Sequence, residues 1–198
     1  MNEFKIEKKE NNFYTITLKY PNKELLLSLT KTGILLGATI TDSFQSIIFR
    51  ASTLHPLKTE STNSTPINYT NLLNIFYCLS KQIKYLIEKE KKCFFTLNPE
   101  NIIIIDNKQC IYLSNDLFSI NKDETITIYK PFVKSIYNSP ELNNVNTLPL
   151  TVHFKTIYYS LAIVILEIKN LEIKNTKLYF ALKRCLKPKP EERVILFI

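Results

Sequence analysis

At 198 residues, with 45% hydrophobic and 22% charged side chains, the chain is long enough for one domain or two small lobes around a genuine core. Only two glycines are present, Gly33 and Gly37, where average usage gives roughly a dozen, so a glycine-rich phosphate loop is largely excluded. The formal charge of +8 would suit a polyanion, yet the lysines are scattered and cluster only where helices are expected to end, so nucleic acid is not the favoured partner.

Taken in order, residues 1–12 are polar and read as a loose arm. From Phe13, Tyr14, Ile16, Leu18 and Tyr20 alternate with Thr15, Thr17 and Lys19, which predicts a half-buried strand. Pro21-Asn22-Lys23 turns the chain, and Glu24 to Leu29 reads as a second strand. Between Thr32 and Phe49 a third strand and a short helix fit equally well. His55-Pro56 through Pro66 reads as a polar connector. Thr65 then caps a helix with Pro66 at its first position, and Leu72, Phe76, Leu79, Ile83 and Leu86 recur at helical spacing along one buried face.

That helix runs into Phe94-Phe95-Thr96-Leu97-Asn98-Pro99-Glu100-Asn101, followed by a buried hairpin, Ile102 to Ile105 and Cys110 to Leu113. A further alternating stretch, Thr125 to Tyr129, predicts a strand. Ser139-Pro140-Glu141 comes next. The run from Lys155 to Ile168 is apolar on nearly every side and predicts a fully buried helix. A helix from Thr176 to Leu186, with Leu178, Leu182 and Cys185 on one face, precedes Pro190-Glu191-Glu192-Arg193, and Val194 to Ile198 is expected to dock on the core.

Several chemistries lack their residues. Cys78, Cys93, Cys110 and Cys185 show no Cys-x-x-Cys spacing and lie in apolar contexts, as reduced core thiols of a cytoplasmic protein would. Two histidines, His55 and His153, with no nucleophile elbow, argue against Ser/His/Asp hydrolysis and against zinc. No apolar segment follows Met1, and the longest apolar run, Ile157 to Ile168, is too short to span a bilayer.

The order of these landmarks resembles the catalytic half of protein kinases. There the loop reads His-Arg-Asp-Leu-Lys-Pro-Glu-Asn, matched here at Leu97, Pro99, Glu100 and Asn101. Ser139-Pro140-Glu141 is similar to the Ala-Pro-Glu that closes the activation segment. Lys155-Thr-Ile-Tyr-Tyr-Ser-Leu-Ala162 resembles Lys-Ser-Asp-Val-Trp-Ser-Leu-Gly of the central helix, and the stretch ending at Arg193 resembles Asp-Pro-x-x-Arg. The resemblance covers residues 66–198. It implies an α+β, protein kinase-like fold with a reduced β-rich first lobe and connector over 1–65 and a mainly helical second lobe over 66–198. The chain also resembles the compact kinase-like proteins encoded by large DNA viruses, which would suit a composition rich in Ile, Lys and Asn.

The same resemblance exposes what is missing. Phosphoryl transfer depends on groups that place the nucleophile, clamp the phosphates and hold Mg²⁺. Thr96 replaces the aspartate that takes the hydroxyl proton, and Asn98 replaces the lysine beside the transferred phosphate. Asn101 stands at the metal-binding asparagine. Asn115, with Asp116 adjacent, falls where the Asp-Phe-Gly aspartate is expected, and a site of two amides is poor for Mg²⁺. Lys19 is the candidate for gripping phosphates, and Ile157 replaces the aspartate that anchors the loop backbone. Glu141 and Arg193 match a buried structural ion pair. The expectation is a pseudokinase: a binding or scaffolding module for an unidentified protein partner, with no cofactor, in the host cytoplasm or the virion if viral. The alternatives are an atypical Ser/Thr kinase using ATP and Mg²⁺ through Lys19, Asn101 and Asp116, and a basic nucleic-acid-associated protein.

Overall fold

The computed structural model describes residues 3–57, 67–145, 147–168 and 173–196. They form an α+β fold of small antiparallel sheets and helices. The first sheet has strands β1 (Phe4–Lys8), β2 (Phe13–Leu18), β3 (Thr39–Ile40) and β4 (Ser46–Arg50) in the order β1-β2-β4-β3. β2 is the strand expected from the alternation, and Tyr14, Ile16 and Leu18 are buried while Tyr20 lies beyond its end in solvent. β1 replaces the expected loose arm. Phe4 pairs with Leu18 and Ile6 with Ile16, and the lysines and glutamates that hid the strand from sequence suit an exposed edge.

Residues 24–29 are helical, not extended. Helix α1 (Lys23–Lys31) starts at Asn22, whose side-chain oxygen accepts the Leu25 N–H at 3.0 Å. Leu25, Leu26 and Leu29 then fall on the buried side. His55 and Pro56 are likewise not connector. They belong to β5 (Leu54–Pro56), which pairs with β7 (Ile102–Ile105). Proline is tolerated there because β5 is an edge strand of the sheet β5-β7-β8, with β8 at Gln109–Tyr112. The Asp106 carboxylate ties the β7–β8 turn down by accepting the Ser52 and Thr53 N–H groups at 2.7 Å each.

Thr65 and Pro66 lie outside the described residues. Helix α2 (Tyr69–Tyr85) is capped by Asn68, which accepts the Asn71 N–H at 2.8 Å. Its predicted face is buried at Leu72, Phe76, Leu79 and Ile83, and Leu86 follows in a π-helical turn that ends at Lys91 in a left-handed conformation. Gln82, also buried on α2, clips β8: its oxygen accepts the Tyr112 N–H at 2.9 Å and its amide donates to the Tyr112 carbonyl at 2.8 Å. The chain then passes through β6 (Lys92–Cys93), paired with β9 (Phe118–Ser119), into Phe94. Lys92 also reaches back to Glu24 of α1 at 2.6 Å, and this lysine holds the Glu24 carboxyl below its usual range.

Beyond the hairpin, β10 (Thr125–Ile128) pairs with β11 (Leu150–His153) around a smaller core that includes Phe95, Leu142 and Phe154. Short helix α3 (Pro140–Asn143) leads on to α4 (Thr156–Leu166), which is buried at Ile157, Ser160, Leu161, Val164 and Ile165. The helix is not enclosed on every side, since Leu166 is 37% exposed. Helix α5 (Lys177–Cys185), capped by Thr176, buries Leu178, Leu182 and Cys185 as its spacing predicts. Past it, Ile195 and Leu196 pack partly on the main core while Val194 is exposed. One apolar core runs from Ile16 and Leu29 through Leu72 and Ile103 to Leu161 and Leu182. All four cysteines are free and buried. No helix among the described residues is long and apolar enough to cross a membrane.

Candidate functional site

The loop after β6 is held by a relay that begins in α4. Ser160 accepts the Leu97 N–H at 2.7 Å, and its hydroxyl lies 3.2 Å from that of Thr96, which donates to the Asn138 side-chain oxygen at 3.0 Å. Ser160 is fully buried and Asn138 nearly so. With Leu97 supplying one proton to Ser160, Ser160 one to Thr96, and Thr96 its own to Asn138, the Thr96 hydroxyl has no spare proton to give. As a neutral alcohol it is also no base near pH 7. Ile157 is apolar and buried and holds no loop atom; the hydroxyl that accepts the loop's Leu97 N–H is that of Ser160, one turn later.

Asn98 is turned to local work. Its side-chain oxygen accepts the Glu100 N–H at 3.1 Å, which caps the 3-10 turn Pro99–Asn101, and its own N–H donates to the Tyr112 hydroxyl at 3.2 Å. The backbone of Asn101 is fixed to the next strand, since its carbonyl accepts the Leu113 N–H at 3.0 Å. The Pro99 turn and the Ser114–Asp116 turn therefore lie side by side.

Thr96, Asn98, Asn101 and Asp116 line one cavity of about 330 Å³ between this loop and residues 131–138. Phe95 and Phe132 form part of its wall, with ring centres 5.2 Å apart. Glu3, just before β1, also lines it. Its carboxylate accepts the Asn115 N–H at 3.0 Å, and its carbonyl accepts both the Lys19 N–H at 2.8 Å and the Asn115 side-chain amide at 3.4 Å. Burial raises the Tyr112 hydroxyl well above the usual tyrosine range, against the hydrogen bond with Asn98, and the charges of Glu3 and Asp116 push the same way.

The remaining candidates fall elsewhere. Asn115 is engaged with Glu3 and does not line the cavity, and its side-chain oxygen is buried without a hydrogen-bond partner. Lys19 follows β2 on the surface, with its ammonium 5.3 Å from the Tyr20 ring centre, and is not part of the cavity wall. Glu141 and Arg193, by contrast, meet directly. The Arg193 guanidinium donates to the two Glu141 oxygens at 2.5 and 2.9 Å, to the Lys187 carbonyl at 2.8 Å and to the Pro188 carbonyl at 3.1 Å. Burial alone would raise the Glu141 carboxyl; the guanidinium outweighs it and holds the group below its usual range.

Compared with known protein families and with curated proteins, the chain matches none. The arrangement must therefore be read from its own chemistry. Sequence reasoning missed Ser160, although a serine stands at the corresponding place in Lys-Ser-Asp-Val-Trp-Ser-Leu-Gly. It missed Glu3 and Asn138 because nothing in their neighbourhoods marks them as partners of distant loops.

Proposed function

We propose that the chain is a degenerate protein kinase-like protein, a pseudokinase that serves as a binding or scaffolding module, in keeping with a virus-encoded or virion-associated component. The observation that carries this reading is Thr96. At the place of the family's proton acceptor stands a hydroxyl already committed to Asn138 and Ser160. Three further features support the kinship. The Pro99 and Ser114–Asp116 turns share one cavity, the Glu141–Arg193 pair is bidentate, and α4 anchors the loop backbone. Glu24, on the helix that follows β2, is spent on Lys92 and not on Lys19.

ATP with Mg²⁺ does not suit the residues present. Among the described residues the cavity wall carries no lysine, arginine or histidine to meet a triphosphate, and its charged groups are carboxylates. The test is thermal stability of the full chain with and without ATP and Mg²⁺, alongside a phosphate-transfer assay on a generic protein substrate. No stabilisation and no transfer are expected. The one observation that favours an atypical Ser/Thr kinase is that Asn101 and Asp116 border the same cavity. Transfer that disappears in both Asp116→Ala and Lys19→Ala would establish that alternative and sink the pseudokinase.

A further inference from the structure

The protein has a formal charge of +8, yet the cavity beside Thr96 reverses that sign. Among the described residues its only ionic lining groups are the carboxylates of Glu3 and Asp116. Glu3 is held in place at both its carbonyl and its carboxylate, so it presents a fixed negative charge without further ordering cost. Asp116 stands in solvent at the rim, its N–H turned inward to the Ser114 hydroxyl at 3.2 Å. The aromatic rings of Phe95 and Phe132 line the same wall, where a ring can attract a cation, and Asn98 and Asn101 add uncharged polar lining. Carboxylates and aromatic rings in one concavity, with no described cation among them, are complementary to positive charge and hostile to phosphate.

We propose that this cavity binds an organic cation, a guanidinium or primary ammonium head such as a basic peptide side chain or a polyamine carries. The site rests on the non-catalytic reading above, because a cavity that holds such a head has no room for nucleotide phosphates. It also supplies the binding module with a ligand class. A partner would insert one arginine or lysine where a phosphotransferase would place its phosphates, and the volume of about 330 Å³ admits a single side chain at the small end of ligand pockets.

The experiment is a thermal-shift and calorimetric titration of the full chain with N-acetyl-arginine amide, with its neutral isostere N-acetyl-citrulline amide, and with spermidine, all at matched ionic strength. Stabilisation by arginine amide or spermidine and none by citrulline is expected. A response to arginine amide points to a peptide side chain, and a response to spermidine alone points to a polyamine. Glu3→Gln combined with Asp116→Asn should weaken binding by about tenfold or more. Phe132→Leu should weaken it about threefold through loss of the ring face. Equal responses to arginine and citrulline, or an unchanged affinity in the double variant with its circular dichroism intact, overturn the site. ATP with Mg²⁺ is run in parallel and reports on the other question: stabilisation there overturns the pseudokinase reading, whereas no response to either arginine amide or spermidine overturns only the cation site.

Discussion

Removing the Arg193 guanidinium should produce the largest single-residue loss in the molecule. The side chain is fully buried and makes four hydrogen bonds, two to Glu141 and one each to the Lys187 and Pro188 carbonyls, with its guanidinium 5.2 Å from the centre of the Tyr159 ring. Arg193→Ala strands a carboxylate whose side chain is only 21% exposed. Breaking a buried pair from one side costs about 3–5 kcal/mol. For a chain of this size, each kcal/mol moves the midpoint by about 2–4 °C, so a fall of about 6–20 °C is expected. Urea unfolding of Glu141→Ala, Arg193→Ala and the double variant closes the cycle. Because each single change leaves the other charge buried, the double variant should be less destabilised than the sum of the two by about 2 kcal/mol or more. Strict additivity would mean that the two side chains do not act as a pair, and the landmark that ties α3 to the C-terminal segment would lose its meaning.

The same pair sets an acid limit. The Glu141 carboxyl lies below its ordinary value of 4.5 in the folded state, so its stabilising contribution is complete above that value and is lost as pH falls through the lowered folded one; Glu141→Gln should flatten this part of a pH–stability curve. Ser160→Ala removes the acceptor of the Leu97 N–H and should cost about 1–3 kcal/mol by urea unfolding, with faster amide exchange at Leu97 as the specific sign. Lys92→Met breaks a contact of 2.6 Å, but both partners are 30% exposed, so a loss of no more than about 1 kcal/mol is expected in the same assay. Gln82→Leu leaves the Tyr112 N–H and carbonyl buried without partners at about 1–3 kcal/mol each, again read from the urea midpoint.

How much of this was legible depended on whether burial is one-sided. Helix α2 and strand β2 each bury a single face, so their apolar residues recur with the period of the element. Leu25-Leu26-Leu27 offers no such contrast, and a short apolar run fits helix and strand alike; the deciding feature was the Asn22 cap, a side chain just outside the run. β1 and β5 escaped notice because edge strands carry charges or proline in place of a clean alternation. In the site, the loop residues were legible as a cluster, since Thr96, Asn98 and Asn101 are neighbours in sequence. Asn138, Ser160 and Glu3 were not, because their roles come from contacts 42, 63 and 112 positions away along the chain. Ser160 illustrates the point: the buried Leu97 N–H needs an acceptor, and any polar atom that reaches it can serve.

The amide clip of Gln82 also closes part of an open sheet border. β8 is the last strand of its sheet, and at Tyr112 its unpaired N–H and carbonyl face away from β7. Left open, such a border invites a strand from a neighbouring molecule to add on. Here a side chain imitates that neighbour and fills both bonding positions at Tyr112 from within the same chain, which leaves an added strand no partner at that residue.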